Sequence, residues 1–403
     1  MKISFVGLSH LSLCYSAAAL TKGFEVYLID SENVLNEYKI NHLNIDEPNL
    51  RNIQNRFKSK LHFSNDIKSI NQTSIIFLAV DINTDSKNNV IYKRINSLLG
   101  QIQKDAKKNI PLVIMSQVEV GFTRNIKWPK MYKYHYVETL VFGEAINRAM
   151  NPERIIVGKN NSSQRINKNL NFFFKKFQCP ILEFTFEESE FTKAMINIYL
   201  ASQVTTTNFL NNIIKNFKNV SWNNIKMALS LDKRIGKFSY LSPGLGISGG
   251  NIERDLQSLR NLLKKKNKDY SYIAEIQKYS NLFKGWIIKN IPLSAKNIGI
   301  LGLTYKENTL SQKNSPQKIL IKSLKKKKIN FMIHDFKFDQ LSSEKYLYKG
   351  LKEVTVLCDV LVIFHNIPMY QSFIIPKNVK CIIDPFKILK SKKSNSKLKI
   401  INL

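Results

Sequence analysis

Residues 1–8 read M-K-I-S-F-V-G-L, and residues 297–303 read N-I-G-I-L-G-L. Both are short apolar runs that end at a glycine, the pattern of a strand buried on both faces of a parallel sheet. After the first run the pattern predicts a helix as far as Leu20, a stop at Gly23 and a second strand over residues 25–30. The sequence therefore predicts two separate strand–turn units, one at each of these runs.

The remainder of the chain continues the alternation of strands and helices. Further strands are predicted from apolar runs at residues 74–80, 112–116, 155–157, 329–335, 360–364 and 381–384. The pair Ser315-Pro316 predicts a helix start, because proline lacks the N–H that a first-turn residue would leave unpaired. This alternation is typical of the α/β class and predicts two Rossmann-like domains.

The middle of the chain differs, because it reads as helices without strands. One long helix is predicted over residues 188–217 and another over residues 255–289. We therefore predict two Rossmann-like domains that are joined by a long central helix in a dimerisation region. The predicted boundaries are residues 1–187, 188–292 and 293–403.

The charge of the chain is strongly positive, with a formal net charge of +32 over 403 residues. One interpretation is a nucleic-acid or membrane-surface binder. The other is a lysine-rich surface, which we favour because the lysines are spread along the whole chain and no nucleic-acid-binding motif is present. We expect no specific nucleic acid, no membrane partner, and a preference for small anionic ligands.

The cysteines and histidines predict neither disulfides nor a metal site. No C-x-x-C or H-x-x-x-H pair occurs, and the cysteines are scattered at Cys14, Cys179, Cys358 and Cys381. The apolar N-terminus permits a signal-peptide interpretation, but a strand, turn and helix also explain Gly7 and the strand that ends at Asp30. We therefore predict a cytoplasmic protein without a transmembrane helix.

The turn after the first strand occupies the place of a dinucleotide fingerprint, G-x-G-x-x-G. Residues 7–12 read G-L-S-H-L-S, so only Gly7 of the three glycines is present, and Ser9 stands at the second. Ser9 can donate to a phosphate, and Asp30 is placed to accept from a ribose hydroxyl and to reject a 2′-phosphate. From the residues alone, a cofactor site and an ordinary βαβ turn remain equal alternatives.

Two polar features suggest chemistry. The first is a set of polar side chains that could form one cluster: Glu138, Lys193, Asn197 and Asp255. A lysine and carboxylates can position a water and stabilise a developing alkoxide. The second is the loop G-L-G-I-S-G-G-N-I-E-R-D at residues 244–255, which is rich in glycine but holds no nucleophile. The alternative for the first set is ordinary surface charge.

The order of motifs along the chain resembles the UDP-glucose/GDP-mannose dehydrogenase family. The segments that carry the resemblance are the opening strand, E-P-N-L at 47–50, residues 116–123, 143–145 and 152–158, E-x-x-K-x-x-x-N at 190–197, D-K-R-I-G at 232–236, G-L-T-Y-K-E-N-T at 302–309 and S-P at 315–316. Among these, D-K-R-I-G resembles the UDP-glucose dehydrogenases in particular. The resemblance covers essentially the whole chain.

The resemblance implies a homodimeric enzyme of polysaccharide biosynthesis that oxidises the C6 alcohol of a UDP-sugar to a carboxylate with NAD. It implies NAD binding in the first domain and UDP-sugar binding in the last. The implied catalytic residues are Glu138, Lys193, Asn197 and Asp255. The implied cofactor contacts are Gly7, Ser9, Leu11, Asp30, Ser116 and Lys313. The implied substrate contacts are Asn208, Arg234, Gly246, Gly249 and Lys306.

The departures from the family pattern lie at cofactor and catalytic positions. Asn251 stands where the family has its nucleophilic cysteine, and an amide cannot form a thiohemiacetal. Residues 80–84 and Lys313 also depart from the pattern. Two hypotheses follow: a dehydrogenase with an altered second oxidation, or a catalytically inactive homologue that binds a UDP-sugar or a partner protein.

Overall fold

The computed structural model describes residues 1–45, 47–341, 344–390 and 398–403, except for the side chain of Asn44. The chain divides into two compact units, residues 1–196 and 197–403, and the division falls within one long helix. None of the helices in the described residues is both long enough and apolar enough to cross a membrane.

The first unit is built on one large sheet. Its strands are β1 (Lys2–Val6), β2 (Glu25–Ile29), β3 (Leu61–Ser64), β4 (Ile76–Leu78), β5 (Asn83–Thr84), β6 (Val90–Ile91), β7 (Leu112–Ile114), β8 (Lys133–Tyr136), β9 (Ile155–Lys159) and β10 (Ile181–Thr185). Its helices are α1 (His10–Thr21), α2 (Glu32–Asn41), α3 (Leu50–Arg56), α4 (Lys93–Asp105), α5 (Phe122–Asn125), α6 (Ala145–Met150), α7 (Lys168–Lys175) and α8 (Phe186–Ile214), which continues into the second unit.

The order of strands in this sheet is β10-β9-β8-β7-β4-β1-β2-β3, and β5 and β6 form a small separate hairpin. Neighbouring strands are parallel except β8 and β9. The order β3-β2-β1-β4-β7 is that of a Rossmann fold, in which ligands bind outside the carboxyl ends of β1 and β4. Apolar clusters cover both faces of the sheet.

Helix α1 is buried on all sides, from His10 through Leu20. Small residues make this possible, because its middle turn reads S-A-A-A over residues 16–19 and lets neighbouring elements pack closely. Gly23 follows with φ of +90° and ends the helix as the sequence predicts. The helix therefore leaves β1 and runs directly through the apolar core of the unit.

The second unit contains helices followed by a second sheet. Its further helices are α9 (Trp222–Leu231), α10 (Asn251–Lys265), α11 (Ser271–Lys284), α12 (Trp286–Asn290), α13 (Pro316–Lys327), α14 (Phe338–Leu341), α15 (Leu351–Leu357) and α16 (Pro368–Gln371). Its strands are β11 (Asn297–Leu301), β12 (Asn330–His334), β13 (Leu347–Tyr348), β14 (Val360–Ile363), β15 (Cys381–Ile383) and β16 (Lys399–Ile401).

The second sheet is parallel throughout its described pairs, in the order β13-β12-β11-β14-β15-β16. This is the order 3-2-1-4-5-6 of the Rossmann fold. Ser315 caps α13 by accepting from the N–H of Lys318, and Pro316 occupies the first turn. Separate apolar clusters lie around this sheet and around the helices that precede it.

The predicted fold class is confirmed: both sheets are doubly wound, and α8 lies between them in the sequence. The single helix predicted over residues 255–289 is wrong, because the chain breaks after Lys265 and again at Gly285. At the first break Asn267 adopts a left-handed conformation with φ of 51°. The three-domain boundaries stay a prediction.

Candidate active site

The turn after β1 depends on Gly7. Its φ is +95°, and a β-carbon added there would overlap the Cγ2 atom of Val80. The N–H of Gly7 donates to the carbonyl of Ile29 at 2.8 Å, which fixes the turn against β2. The first glycine of the fingerprint is therefore required by the backbone, whatever ligand binds.

Ser9, at the second glycine position, points its hydroxyl into the protein. The hydroxyl donates to the carbonyl of Ala79 at 2.9 Å and accepts from the N–H of Ser12. The Ser12 hydroxyl in turn accepts from the N–H of Ser9 at 2.9 Å, which completes a capping box at the start of α1. The expected contact from the Ser9 hydroxyl to a phosphate would require this arrangement to break.

Asp30 lies at the end of β2, only 5% exposed. Its Oδ2 atom accepts from the N–H of Leu8 and from Nη2 of Arg94, both at 2.5 Å, and its Oδ1 atom accepts from the N–H of Ser31 at 2.8 Å. Our sequence interpretation did not include Arg94, because 64 residues separate it from Asp30. The ribose role of Asp30 stays a prediction.

A carboxylate lies at the start of α1. The Oδ2 atom of Asp81, which follows β4 and Val80, accepts from the N–H of His10 at 3.1 Å. The N-terminus of a helix attracts anions, and in Rossmann folds the cofactor pyrophosphate occupies this position. The sequence contained a signal for this residue, since the segment at 80–84 departs from the family pattern, but the contact itself requires the fold.

His10 forms a second unpredicted contact in the same turn. Its Nε2 atom lies 2.8 Å from Oε1 of Glu47, and both side chains are buried. Glu47 also accepts from the N–H groups of Gly143 and Ala145, at 2.9 and 3.3 Å. This carboxylate therefore links the fingerprint turn to the segment that follows Glu138.

Glu138 and Lys193 form a nearly buried ion pair. The Nζ atom of Lys193 lies 2.7 Å from Oε1 of Glu138, and the two side chains are 10% and 11% exposed. The other carboxylate oxygen accepts from the N–H of Leu140 at 2.9 Å. Burial, with a smaller contribution from the Lys193 charge, lowers the pKa of His135 to about 3. The unit thus holds a lysine and a carboxylate in fixed positions.

Three further residues of this unit, Ser116, Leu11 and Glu190, are held inside the protein. The Ser116 hydroxyl accepts from the N–H of Val80 at 2.8 Å, and the residue is buried. The predicted contact from Ser116 to the cofactor would have to compete with this hydrogen bond. Leu11, another predicted cofactor contact, is buried in the apolar cluster around α1. Glu190 accepts from the N–H groups of Gly121 and Thr123, at 2.6 and 2.8 Å, and burial raises its pKa.

In the second unit, Asn197 and Asp255 are brought together. The Nδ2 atom of Asn197 donates to Oδ2 of Asp255 at 2.5 Å, and Nε of Arg254 donates to Oδ1 at 3.2 Å. All three residues are buried. Asn197 is four residues beyond Lys193 in α8, so the same helix carries a residue of each pair.

Asn251 is the first residue of α10 and is exposed. The loop before it is firmly held, because Asn208 accepts from the N–H of Gly244 at 2.8 Å and the N–H of Gly249 donates to the carbonyl of Lys313 at 2.9 Å. Gly246 has φ of +82°, and an added β-carbon would overlap the carbonyl of Ser280. The loop keeps a defined shape up to Asn251, the amide at the position where the resemblance predicts a nucleophile.

The first turn of α10 carries one more residue of a buried ion pair, which we did not predict from the sequence. The Nζ atom of Lys284 lies 2.6 Å from Oε1 of Glu253, and these side chains are 3% and 8% exposed. Of the remaining predicted substrate contacts, Lys306 is exposed and Arg234 is 89% exposed and pairs with Asp232. In the described residues of this unit, no buried contact holds Arg234 against the glycine-rich loop.

None of the four cysteine side chains has the lowered pKa of a reactive thiol. Burial raises the pKa of all of them, that of Cys358 to about 12 and that of Cys14 well above its usual value. A reactive thiol needs a lowered pKa, since the thiolate is the nucleophile. The cysteines therefore carry no signal of a reactive thiol.

Two Rossmann-like sheets, each with a glycine turn at its ligand-binding edge, place the chain in the class of two-domain, nucleotide-binding α/β proteins. Residues 1–178 match the NAD binding domain of one family, residues 187–281 its central domain and residues 299–391 its UDP binding domain. The chain belongs to the UDP-glucose/GDP-mannose dehydrogenase family. Its cofactor is NAD, and the turn at Gly7, with φ of +95°, leads directly into the N-terminus of α1, the backbone arrangement on which a pyrophosphate binds.

The relatives are distant in sequence. The chain is 24% identical over 331 residues to a putative UDP-glucose 6-dehydrogenase of Bacillus subtilis, which covers 78% of this chain and 77% of that protein. It is also 24% identical over 432 aligned positions to a UDP-N-acetyl-D-mannosamine dehydrogenase of Methanococcus vannielii, covering 99% and 96%. A solved UDP-glucose dehydrogenase from Pyrobaculum islandicum superposes with a TM-score of 0.86 at 18% identity, covering 100% and 96%, which shows the shared fold.

Proposed function

We propose that this chain oxidises the C6 alcohol of a UDP-sugar to the aldehyde and does not complete the second oxidation by a covalent route. The observation that carries the proposal is the buried Asn197–Asp255 hydrogen bond of 2.5 Å, retained directly beside a loop whose nucleophile is absent. UDP-glucose is the first substrate to test, because residues 232–236 resemble those of UDP-glucose dehydrogenases. Its product would serve polysaccharide synthesis.

The chemistry of the first step suits the side chains in place. When bound, NAD accepts two electrons and a hydrogen from C6. In the first unit, the Lys193 ammonium stabilises negative charge on an alkoxide oxygen, and Glu138 holds that ammonium in position. The hydroxyl proton leaves to water. In the second unit, the Asp255 carboxylate, oriented by Asn197 and Arg254, is a buried base that can accept a proton.

The second step lacks its nucleophile. A thiolate at position 251 would add to the aldehyde carbon, whereas the nitrogen lone pair of the Asn251 amide is delocalised and does not add. The remaining thiols have raised pKa values and are not thiolates at neutral pH. The expected product is therefore the aldehyde or its hydrate.

The test is the stoichiometry of NADH formed per UDP-sugar consumed, with product analysis over a panel of UDP-sugars. We expect one NADH per sugar and a product that a carbonyl reagent traps. Two equivalents with a carboxylate product would contradict the arrest at the aldehyde. No NADH with any sugar would contradict the dehydrogenase proposal as a whole.

Restoring the nucleophile gives a direct prediction. Asn251→Cys should produce a second equivalent of NADH and a carboxylate, because α10 begins at this residue and a thiol there would lie at a helix N-terminus, which favours the thiolate. Asn251→Ala is the matched control and should stay at one equivalent. If Asn251→Cys also stays at one equivalent, more than the nucleophile has been lost.

A second candidate function is a catalytically inactive homologue that binds a UDP-sugar or a partner protein. The Asp81 carboxylate at the start of α1 favours it, because it opposes a pyrophosphate at that position. Under this hypothesis a UDP-sugar raises the thermal unfolding midpoint while NAD does not, and no NADH forms. Stabilisation by both ligands separates the first function from the second.

We also propose a homodimer. Large apolar side chains in and after α8 and α9 are exposed in the single chain: Tyr199, Met227, Leu231 and Phe238 are 67%, 62%, 78% and 86% exposed. Large exposed apolar surfaces mark protein–protein interfaces, and these four side chains come from one part of the chain. Leu231→Glu with Phe238→Glu should halve the mass measured by light scattering. Leu293→Glu, at a residue outside this stretch that is more exposed than either, is the control and should leave the mass unchanged.

We place the protein in the cytoplasm. All of its cysteines are free thiols, and most are buried, which suits a reducing compartment. Cell fractionation with an antibody to the chain tests this placement.

A further inference from the structure

The end of β2 carries an arginine beside the aspartate that is expected to hold the cofactor ribose. Arg94 is the second residue of α4, and its Nη2 atom donates to the carbonyl of Leu8 at 2.8 Å as well as to Oδ2 of Asp30 at 2.5 Å. The Asp30 side chain is 3% exposed, whereas that of Arg94 is 38% exposed. The guanidinium is thus anchored at one nitrogen and open to solvent beyond it.

This arrangement changes what Asp30 can exclude. A free carboxylate at this position repels a 2′-phosphate and uses its oxygens on the ribose hydroxyls. Here the charges of Asp30 and Arg94 compensate each other, and both carboxylate oxygens already accept hydrogen bonds from within the protein. The electrostatic reason to reject a 2′-phosphate is therefore weakened.

The same corner offers donors to an anion. A guanidinium has five N–H groups, and in the described residues the hydrogen bonds of Arg94 use only Nη2, so Nε and Nη1 keep a fork that suits a phosphate. Ser31, directly after Asp30, is the N-cap residue of the ten-residue helix α2, and its hydroxyl makes no capping bond. The Glu32 carboxylate beside it is exposed and opposes an anion only through solvent.

We propose that Arg94 is a specificity-determining residue, and that it lets this chain bind a dinucleotide that carries a 2′-phosphate as well as NAD. Arg94 and the Ser31 hydroxyl would hold the phosphate, and Asp30 would keep its bonds to Leu8 and Ser31. The inference rests on the proposed function only in that the dinucleotide binds at the turn after β1.

The experiment measures binding rather than turnover. NAD and NADP differ only in the 2′-phosphate, so each is titrated by calorimetry into the full chain without a sugar. We expect the wild type to bind NADP within about tenfold of NAD, since one charge-assisted phosphate contact is worth about 1.4 kcal/mol, or tenfold. Arg94→Gln should weaken NADP binding by at least about tenfold and change NAD binding by less than about threefold.

The matched control is Lys93→Gln, which removes the same charge from the neighbouring exposed residue and should change the NADP-to-NAD ratio by less than about threefold. Arg94→Lys keeps the charge without the fork and should lie between wild type and Arg94→Gln. Thermal unfolding verifies that each variant folds.

The outcomes separate this inference from the proposed function. If the wild type binds NAD but excludes NADP by more than about a hundredfold, or if Arg94→Gln leaves the ratio unchanged, the inference is overturned while the dehydrogenase proposal stands. If the folded wild type binds neither dinucleotide, both are overturned.

Discussion

The turn after β1 and the turn after β11 are built by the same backbone device. Gly7 has φ of +95° and donates to Ile29, and Gly302 has φ of +99° and donates to His334, each at 2.8 Å. In each turn the next N–H donates to the aspartate that ends the following strand. Leu8 donates to Asp30 at 2.5 Å, and Leu303 donates to Asp335 at 2.7 Å.

The two turns differ in what surrounds the aspartate. Asp30 meets a half-exposed arginine, whereas Asp335 is fully buried with Nδ1 of His365 3.7 Å from its Oδ2 atom. The His365 ring also lies against Gly302, where an added β-carbon would approach its Cγ atom to 2.6 Å. Both aspartates are buried, but the first is paired with an arginine whose side chain is 38% exposed, and the second lies beside a buried histidine.

The two turns also differ in how soon a helix begins after them. Helix α1 begins at His10, directly after the first turn, so its N-terminus lies at the ligand-binding edge of the sheet. Helix α13 begins only at Pro316, and the intervening loop carries Lys306 and Lys313. The same backbone device is therefore followed by a helix N-terminus in the first unit and by a loop with two lysines in the second.

The largest expected effect tests whether the two glycines are equally necessary. Gly7→Ala and Gly302→Ala should each lower the free energy of unfolding by about 4 kcal/mol, because a positive φ and a steric overlap act together. Gly23→Ala is the control: its φ is +90° but nothing lies within 4 Å, so about 1 kcal/mol is expected. Urea unfolding measures all three. If Gly302→Ala costs no more than Gly23→Ala, the two turns are not equivalent.

The buried histidines of the two sheets predict an acid sensitivity. Burial lowers the pKa of His135 on β8 from 6.5 to about 3 and lowers that of His334 on β12 to a smaller extent. Between pH 6.5 and about 3 the unfolded chain binds a proton that the folded His135 refuses, so stability falls as the pH falls through this window. His135→Gln should remove on the order of 3 kcal/mol of that loss.

The measurement is the urea midpoint of unfolding at a series of pH values between neutral and about 4. His334→Gln should flatten the pH dependence less than His135→Gln does. An equal effect of both substitutions, or none from His135→Gln, would contradict the difference assigned to the two strands.

The smallest expected effect concerns Asp81, whose carboxylate lies at the N-terminus of α1, the helix that follows the first turn. Asp81→Asn keeps an acceptor for the N–H of His10 and removes a negative charge, so NAD should bind about fivefold more tightly, equivalent to about 1 kcal/mol of dipole and charge interaction. Asp85→Asn, at an exposed acid in the same segment, is the control. Weaker binding by Asp81→Asn would show that the carboxylate supports the cofactor site.

Much of this could be predicted from local pattern. The strand at 2–6, the helix that Gly23 ends and the helix start at Ser315 follow from short-range rules of apolar runs, glycine and proline. The helix predicted over 255–289 failed, because its apolar residues keep a helical spacing across Asn267 that only the left-handed backbone there interrupts. Local periodicity does not register such a break.

The sequence by itself determined the two Rossmann-like halves, the turn at Gly7 and the amide at position 251, because each depends on residue type and on neighbours close in the chain. The tertiary structure alone decided that Arg94 compensates Asp30, that Asp81 faces the start of α1 and that the Ser9 hydroxyl bonds to Ala79. Those partners are about 64 to 71 residues apart, and the order of strands in the sheet brings them together. Their charges and hydrogen bonds, rather than the motif, set what the first turn can bind.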